Sequence, residues 1–319
     1  MTETTEFTDT VTHTPGANID DQIDARFKRV RRRRVPKFGV LFGATFLIVL
    51  LFLTVFADWL PFIRNADTKV RVNGKLMSNY KLGPGWEAWW GTDGNGFDVF
   101  ARCIYYARYT LWIGVSSTAI GLFVGGALGM LAGYFRGKTD RVISVLIDCL
   151  LAIPALVLAI MVVRRLDDIK LDFTWLGWMS RLWQIILTLS ILAIAPLARI
   201  VRAQTMALRE REFVLAGRSL GAGNMRILFK EILPNLIPAM VTVAATGLGI
   251  LIAAEGALAF LGLGLETSWG FMINANRNRL EKAWWATIFP CIMLFLTVLS
   301  FNLIGDRLAR RFDVREAAV

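Results

Sequence analysis

The stretch that decides the fold is YARYTLWIGVSSTAIGLFVGGALGMLAGY, residues 106–134, which holds a single charged side chain, Arg108. A helix needs about 20 mostly apolar residues to cross roughly 30 Å of hydrocarbon. Backbone groups in lipid must satisfy their own hydrogen bonds, so a continuous apolar run predicts a helix, whereas a barrel strand would alternate in polarity. This run therefore predicts a membrane-spanning helix.

Five further runs have the same character, and together they predict an all-α polytopic membrane protein with six transmembrane helices. The first run is expected to be a retained anchor. An acidic, Thr-rich tail precedes it, and Asp58-Trp59-Leu60-Pro61, which follows it, does not resemble the small-x-small site of a cleaved signal peptide. The predicted spans are approximately Phe38–Ala57, Tyr106–Tyr134, Val142–Val163, Leu182–Val201, Leu236–Leu263 and Trp285–Ile304.

The composition of the whole chain agrees with a membrane protein. Of its 319 residues 55% are hydrophobic and 19% are charged, whereas about 25% are charged in an average soluble domain. The three cysteines (Cys103, Cys149 and Cys291) lack metal-binding spacing, and the one histidine, His13, lies in a polar tail. Histidine-based catalysis, a disulfide framework and a resident metal or cofactor are therefore not expected.

The distribution of positive charge predicts the orientation. The net charge is +11, and the loops on the side of the two termini hold 22 Lys and Arg residues against 13 on the other side, which places both termini in the cytoplasm. The basic run Arg26–Arg34 favours contact with anionic lipid, and no nucleic-acid partner is expected. The predicted segments are a cytoplasmic tail (1–37, with 1–25 disordered), an anchor helix (38–57), an extracytoplasmic loop (58–104), a five-helix core (105–305) and a cytoplasmic tail (306–319).

Two features of the second span suggest a close neighbour but no nucleotide site. Its glycines recur every four residues, which lets another helix backbone approach or lines a narrow conduit. Gly137-Lys138-Thr139 resembles the end of a phosphate-binding loop, but Ala132 stands where that motif needs glycine and no strand precedes it. The four glycines are Gly121, Gly125, Gly129 and Gly133.

Three residues inside the spans are candidates for the translocation path or for helix packing. Pro154 predicts either a static kink or a moving hinge in the third span. Asp148 precedes it, near the predicted inner boundary. Glu255 lies within the fifth span and is expected to face protein or water, because a carboxylate in lipid costs roughly 2.5–3.5 kcal/mol. Two roles are compatible with the sequence, a hydrogen bond from Glu255 to a neighbouring helix and a position on the translocation path.

The cytoplasmic loop between spans four and five, residues 204–234, predicts a helix, a glycine corner and a second helix. Gly221 and Gly223 can turn the chain, and Asn224 is expected to cap the second helix. The loop mixes charges with apolar residues that are expected to be exposed, namely Phe213, Val214, Leu220, Ile227 and Phe229. The loop is therefore either an amphipathic segment on the membrane surface or a docking surface for a cytoplasmic partner.

The same loop resembles the EAA motif of binding-protein-dependent ABC importer permeases, E-A-A-x3-G-x9-I-x-L-P. Further stretches are similar to the C-type subunit of dipeptide and oligopeptide permeases. The motif positions that match are Ala216, Gly221, Leu233 and Pro234, and those that depart are Leu215, Gly217 and Glu231. The further stretches are Gly91–Val99, where Phe97 replaces a usual arginine, Asp148–Ile160, Ala198–Thr205, Phe260–Gly264, Ser268–Gly270 and Asn302–Leu308.

The resemblance implies a permease fold in a bacterial inner membrane and a role as a translocation subunit, not an enzyme. The implied partners are a homologous B-type permease, two cytoplasmic ATPases that carry ATP and Mg, an extracytoplasmic binding protein, lipid and a peptide substrate. A nickel or glutathione importer of the same branch is the alternative, and a non-transport membrane anchor is a weaker one. The residues implied in ATPase coupling are Glu212, Phe213, Ala216, Gly217, Arg218, Leu220, Gly221, Ala222, Arg226 and Pro234.

Overall fold

The computed structural model describes residues 37–72, 75–76, 82–172 and 180–316. Within these ranges the chain is mostly helical. The described residues between 57 and 98, and residues 261–268, form turns and loops, and the first of these segments contains one short hairpin of β1 (Arg71–Val72) and β2 (Lys75–Leu76). A π-helical turn at Ile227–Ile232 joins α7 to α8, and a 3-10 turn at Arg277–Arg279 joins α9 to α10. The helices are α1 (Lys37–Phe56), α2 (Val99–Phe135), α3 (Gly137–Ala152), α4 (Ala155–Asp172), α5 (Arg181–Arg209), α6 (Glu212–Ser219), α7 (Asn224–Arg226), α8 (Leu233–Phe260), α9 (Trp269–Asn276), α10 (Leu280–Ala283) and α11 (Trp285–Glu316).

The predicted all-α membrane architecture is confirmed. Five helices of the described chain are long and apolar enough to cross a membrane, and the bent pair α3–α4 forms a sixth candidate. Helix α5 lies at the centre, since 61% of its most apolar stretch is buried, compared with 22–39% in the other four helices. Helices α2, α8 and α4 pack around α5, and α1 lies against α11 where Gly43 meets the backbone of Ser300.

Helix α2 begins earlier than the predicted end of the extracytoplasmic loop at residue 104. The side chain of Asp98 accepts hydrogen bonds from the backbone N–H groups of Phe100 and Ala101, at 2.8 and 3.1 Å, and so starts the helix at Val99. The helix ends at Arg136, which has a positive φ of 52°. The Asp98 cap therefore brings residues 99–104, which the prediction had assigned to the loop, into the helix.

The third predicted span is broken, not gently kinked. Helices α3 and α4 diverge by 98° at Ile153-Pro154, and Ile153 is extended (φ −87°, ψ 130°). A residue before proline is excluded from the helical region by the proline ring. The break is thus sharper than the kink that proline alone predicts, since Ile153 leaves the helix altogether.

Two other predicted boundaries also differ from the structure. Helix α5 continues past Val201 to Arg209, and α11 continues to Glu316, so most of the predicted tail 306–319 is helical. Charged side chains at these ends do not stop a helix whose hydrogen bonds are already propagating. The predicted disorder of 1–25 and the basic run 26–34 lie outside the described residues.

Candidate functional site

The loop between α5 and α8 folds as helix, corner and helix. The N–H of Gly221 donates to the carbonyl of Arg218 at 2.9 Å, and that of Ala222 donates to the carbonyl of Gly217 at 3.0 Å. This paired pattern ends α6, and it needs the left-handed backbone (φ 76°) that Gly221 supplies. The expected glycine corner is confirmed at Gly221.

The beginning of α7 differs from the expectation. Gly223 occupies the N-cap position with an ordinary φ of −67°, and the side chain of Asn224 makes no capping bond. Asn224 instead accepts a hydrogen bond from the hydroxyl of Tyr134 at 2.9 Å. The side chain that the local sequence predicts to cap α7 is therefore used in a long-range hydrogen bond to α2.

An apolar cluster anchors the underside of the loop to the membrane helices. Val214 of α6 and Ile227 and Ile232 of the π-helical turn are fully buried. They pack with Tyr134 of α2, Val201 of α5 and Leu236 of α8. The expectation that Val214 and Ile227 are exposed is therefore wrong, because this cluster buries both side chains.

The opposite side of the loop is exposed and partly apolar. Leu220 at the corner is 88% exposed, and Phe213, Met225 and Phe229 are exposed as well. Of the residues implied in coupling, Ala222 is partly buried against the apolar cluster. Most of the others are exposed, namely Glu212, Phe213, Ala216, Arg218, Leu220, Gly221, Arg226 and Pro234, while Gly217 is half-buried. We call the exposed residues of α6 and the corner the loop surface.

Tyr134 connects this loop to the inner end of α2. Besides its bond to Asn224, its ring lies 5.4 Å from the guanidinium carbon of Arg218 and 5.8 Å from that of Arg209. Arg136 also pairs with Glu210 at 2.5 Å. Sequence reasoning missed Tyr134, although an aromatic residue at the end of a glycine-rich helix was a usable signal. The loop therefore contacts the C-terminal end of α2 directly.

The four glycines of α2 face α5. A Cβ at Gly121 would lie 2.5 Å from the Cβ of Ala193, one at Gly125 2.7 Å from the carbonyl oxygen of Ile194, and one at Gly133 2.7 Å from that of Arg202. Only glycine permits helix backbones to come this close. The structure thus places these glycines in helix packing, with α5 filling the space beside them.

Asp148 and Pro154 lie on the exposed side of the bent pair. Asp148 forms an ion pair with Arg199 of α5, and both side chains are about 60% exposed. Eight residues earlier, about two turns along α3, Asp140 pairs with Arg202 of the same helix α5. These two pairs link α3 to the C-terminal half of α5, and Pro154 stands exposed at the break.

Glu255 is fully buried in α8. Neither carboxylate oxygen has a hydrogen-bond partner of normal geometry among the described residues, although the Ser268 hydroxyl is its polar neighbour. Ser268 caps α9 by accepting from the N–H of Phe271 at 3.3 Å. Glu255 therefore faces protein, at the junction of α8 with α9.

The segment between α1 and α2 is attached to the helices by polar contacts. Arg102 of α2 donates to Asp93 at 2.7 Å and to the carbonyl of Ala66 at 3.2 Å. A hydrogen bond from the Tyr105 hydroxyl and one from Arg108 lower the pKa of Asp58, whereas burial raises the pKa of Asp98. An open cavity of about 550 Å³ lies at this end, lined by Asp67, Asp93, Asn95, Arg102, Tyr106 and Glu266 among others.

Comparison with known families identifies what the chain resembles. The profile of the family described as "Binding-protein-dependent transport system inner membrane component" matches residues 125–316. The match covers the described part of the chain from the middle of α2 through α11, and so includes the loop surface and Glu255.

Named relatives match over most of their length. The dipeptide transport system permease protein DppC of Alkalihalophilus pseudofirmus is 33% identical over 90% of this chain and 88% of its own. The glutathione transport system permease protein GsiD of Escherichia coli O157:H7 is 34% identical over 92% of both chains. A solved chain of the MetNI methionine ABC transporter, in an inward-facing conformation, has a TM-score of 0.54 and 23% identity over 65% of this chain and 94% of its own, which supports the fold.

Proposed function

Because the chain belongs to the family of binding-protein-dependent transport system inner membrane components, we propose that it is the permease subunit of an ATP-driven importer of di- or oligopeptides. It is a multi-pass protein of the bacterial inner membrane. The observation that carries the proposal is the loop surface. It is an exposed, partly apolar surface held rigidly over the buried cluster of Val214, Ile227 and Ile232.

In this proposal the loop surface docks on a cytoplasmic ATPase that binds ATP and Mg. Closure of two ATPases around ATP pushes on α6, and the apolar cluster passes the movement to α5 and α8. The hydrogen bond between Asn224 and Tyr134 adds a route into α2. Alternating access then follows if the ATPases bind the two states of the permease with different affinity.

A homologous permease completes the path in this proposal. Helix α8 has only 22% of its most apolar stretch buried, and Ile237, Val241 and Ile250 are exposed along it. Val145 and Met161 on the bent pair are exposed apolar residues as well. Six spans with such uncovered faces fit one half of a two-subunit conduit, to which an extracytoplasmic binding protein delivers substrate.

Co-purification tests the docking contact. Leu220→Asp places a charge at an 88% exposed position, so the fold should survive while association with the ATPases and uptake are lost. Leu280→Asp, an exposed leucine of α10, is the matched control and should retain the ATPases. Retention of the ATPases by Leu220→Asp would contradict the proposed contact.

Uptake competition tests the substrate. In a strain lacking this chain, restored uptake of a labelled dipeptide should be inhibited by unlabelled di- and tripeptides. Glutathione is the second candidate, favoured by the similarity to GsiD permeases, and nickel is the third. Inhibition by glutathione or nickel alone would overturn the peptide assignment and leave the permease role intact.

A further inference from the structure

Three arginines meet at the inner end of α2. The guanidinium groups of Arg209 and Arg218 lie 5.8 and 5.4 Å from the ring centre of Tyr134. Arg136 follows two residues after that tyrosine in the chain. We call Arg136, Arg209 and Arg218 the arginine cluster. It joins α2, α5 and α6 at one point.

The arginine cluster has too few acceptors. In the part of the chain that the structure describes, Glu210 is the one carboxylate paired with it, through Arg136 at 2.5 Å. The Arg136 side chain is 41% exposed, but its Nε and the Nη1 of Arg209 are buried atoms that have no hydrogen-bond partner among the described residues. Buried charged donors that lack acceptors cost free energy. The cluster is therefore suited to an anion from outside the chain.

The position of the cluster favours a lipid phosphate as that anion. Residues 109–135 of α2 contain no charged side chain, and Arg136 is the first charge after them. The cluster thus lies where the apolar span ends, at the level of lipid headgroups. Leu131 and Phe135, four residues apart on one face of α2, are 37% and 43% exposed. They offer an apolar strip to an acyl chain directly beside the charges.

We propose that the arginine cluster binds the phosphate of an anionic phospholipid, with an acyl chain along Leu131 and Phe135. The inference rests on the proposed function in one respect, which is that the loop between α5 and α8 faces the cytoplasm. The bound lipid bridges the end of α2 to α6 and so holds the loop surface in place. A carboxylate of an ATPase is the competing occupant, but a carboxylate has no apolar chain to cover the exposed Leu131 and Phe135 of α2.

The test measures lipid retained by the purified importer complex. The complex is reconstituted in phosphatidylcholine with phosphatidylglycerol, extracted in mild detergent and examined by native mass spectrometry. We expect Arg209→Gln to lower retained phosphatidylglycerol about fivefold, the order of effect of one basic residue near an anionic surface. Arg209→Lys should restore most of the binding. Lys230→Gln removes an exposed positive charge from the π-helical turn and is the matched control, expected to bind as the unaltered protein does.

ATPase association, measured on the same samples, separates the possible outcomes. Loss of phosphatidylglycerol with the ATPases retained supports the proposal. An unchanged amount of retained phosphatidylglycerol overturns the proposal, whether or not the ATPases are lost. If the ATPases are lost while phosphatidylglycerol is retained, the cluster is assigned to ATPase docking. If Arg209→Gln fails to fold, Arg218→Gln is judged by the same lipid measurement. If the unaltered chain binds no ATPase, the proposed function fails, while the lipid result stands on its own.

Discussion

Single glycines of α2 set its distance from α5. A Cβ at Gly129 would lie 2.5 Å from the carbonyl oxygen of Ala198 and 2.9 Å from the backbone nitrogen of Arg202. Because both atoms belong to the backbone, a rotamer change cannot relieve the clash. Gly129→Ala should lower the free energy of unfolding in detergent by about 1–3 kcal/mol.

Gly247→Ala is the control for this prediction. Apart from the adjoining backbone of α8 itself, no heavy atom of the described chain lies within 4 Å of the Cβ that this change would add. Alanine should therefore leave stability unchanged or raise it by up to about 1 kcal/mol through helix propensity. Equal thermal midpoints for the two variants would show that α2 and α5 are not in close contact.

Asp58 gives a prediction on pH. The Tyr105 hydroxyl donates to Asp58 at 2.7 Å and Arg108 at 2.9 Å, and these bonds hold its pKa below the ordinary 3.8. A carboxyl group whose pKa is lower in the folded protein stabilises the fold at any pH above its pKa in the unfolded chain. This stability is lost as the pH falls through the pKa of the folded protein. Asp58→Asn should therefore lower the thermal unfolding midpoint at neutral pH. Below about pH 4 the difference in midpoint between this variant and the unaltered protein should become smaller.

A pH series of unfolding midpoints checks this prediction. Tyr105→Phe removes the larger of the two causes and should reduce the pH dependence without abolishing it. A midpoint difference between Asp58→Asn and the unaltered protein that stays constant from neutral to acidic pH would contradict the assignment.

Among the elements, the broken span shows what a local sequence determines. Pro154 excludes Ile153 from the helical region, so a discontinuity was predictable. Its angle of 98° was not predictable, because it depends on how α3 packs on α5. The ion pair of Asp148 with Arg199, 51 residues away, and the apolar contact of Ile147 with Ala198 contribute to that packing. Contacts at such separation carry no local pattern.

Pro154→Ala tests whether the proline maintains the break. Spin labels at Val142 and Arg165, both exposed, would lie about 35 Å apart along one straight helix and about 22 Å apart with arms at 98°. We expect the substitution to lengthen the measured distance, since alanine removes the restriction on Ile153. Labels at the same sites with Pro154 present are the control, and the native cysteines are replaced in both. An unchanged distance would assign the bend to the packing of α3 on α5.

Across the whole molecule, the sequence predicted most of what hydrophobic patterning and glycine chemistry control. The spans follow from apolar runs, and the corner at Gly221 follows from its left-handed backbone. The burial of Val214 and Ile227 was not predictable, because their neighbours in the sequence indicate exposed apolar residues. Their packing against Tyr134 of α2 depends on the tertiary fold. The same holds for Tyr134, whose partner Asn224 lies 90 residues away.

The segment between α1 and α2 lies outside the part of the chain that matches the family profile, which begins at Gly125. The side chain of Arg102 in α2 contacts three separate residues of this segment. Arg102 bonds to Asp93 and Ala66 and lies 3.7 Å from the ring centre of Phe97. Its side chain is 16% exposed and that of Asp93 is 6% exposed, so water replaces these bonds poorly. Arg102→Gln should cost about 1.5–3 kcal/mol.

The loss should appear as a loosened segment as well as a lower unfolding midpoint. Trypsin should cleave at Lys69 and Arg71 faster in Arg102→Gln than in the unaltered protein, because local opening exposes the backbone to protease. Arg64→Gln is the control: Arg64 is exposed and donates to the carbonyl of Glu87, so its loss should stay within about 0.5 kcal/mol. Equal cleavage rates in the two variants would mean that packing alone, through Trp90 on Phe289 and similar ring contacts, holds the segment to the helices.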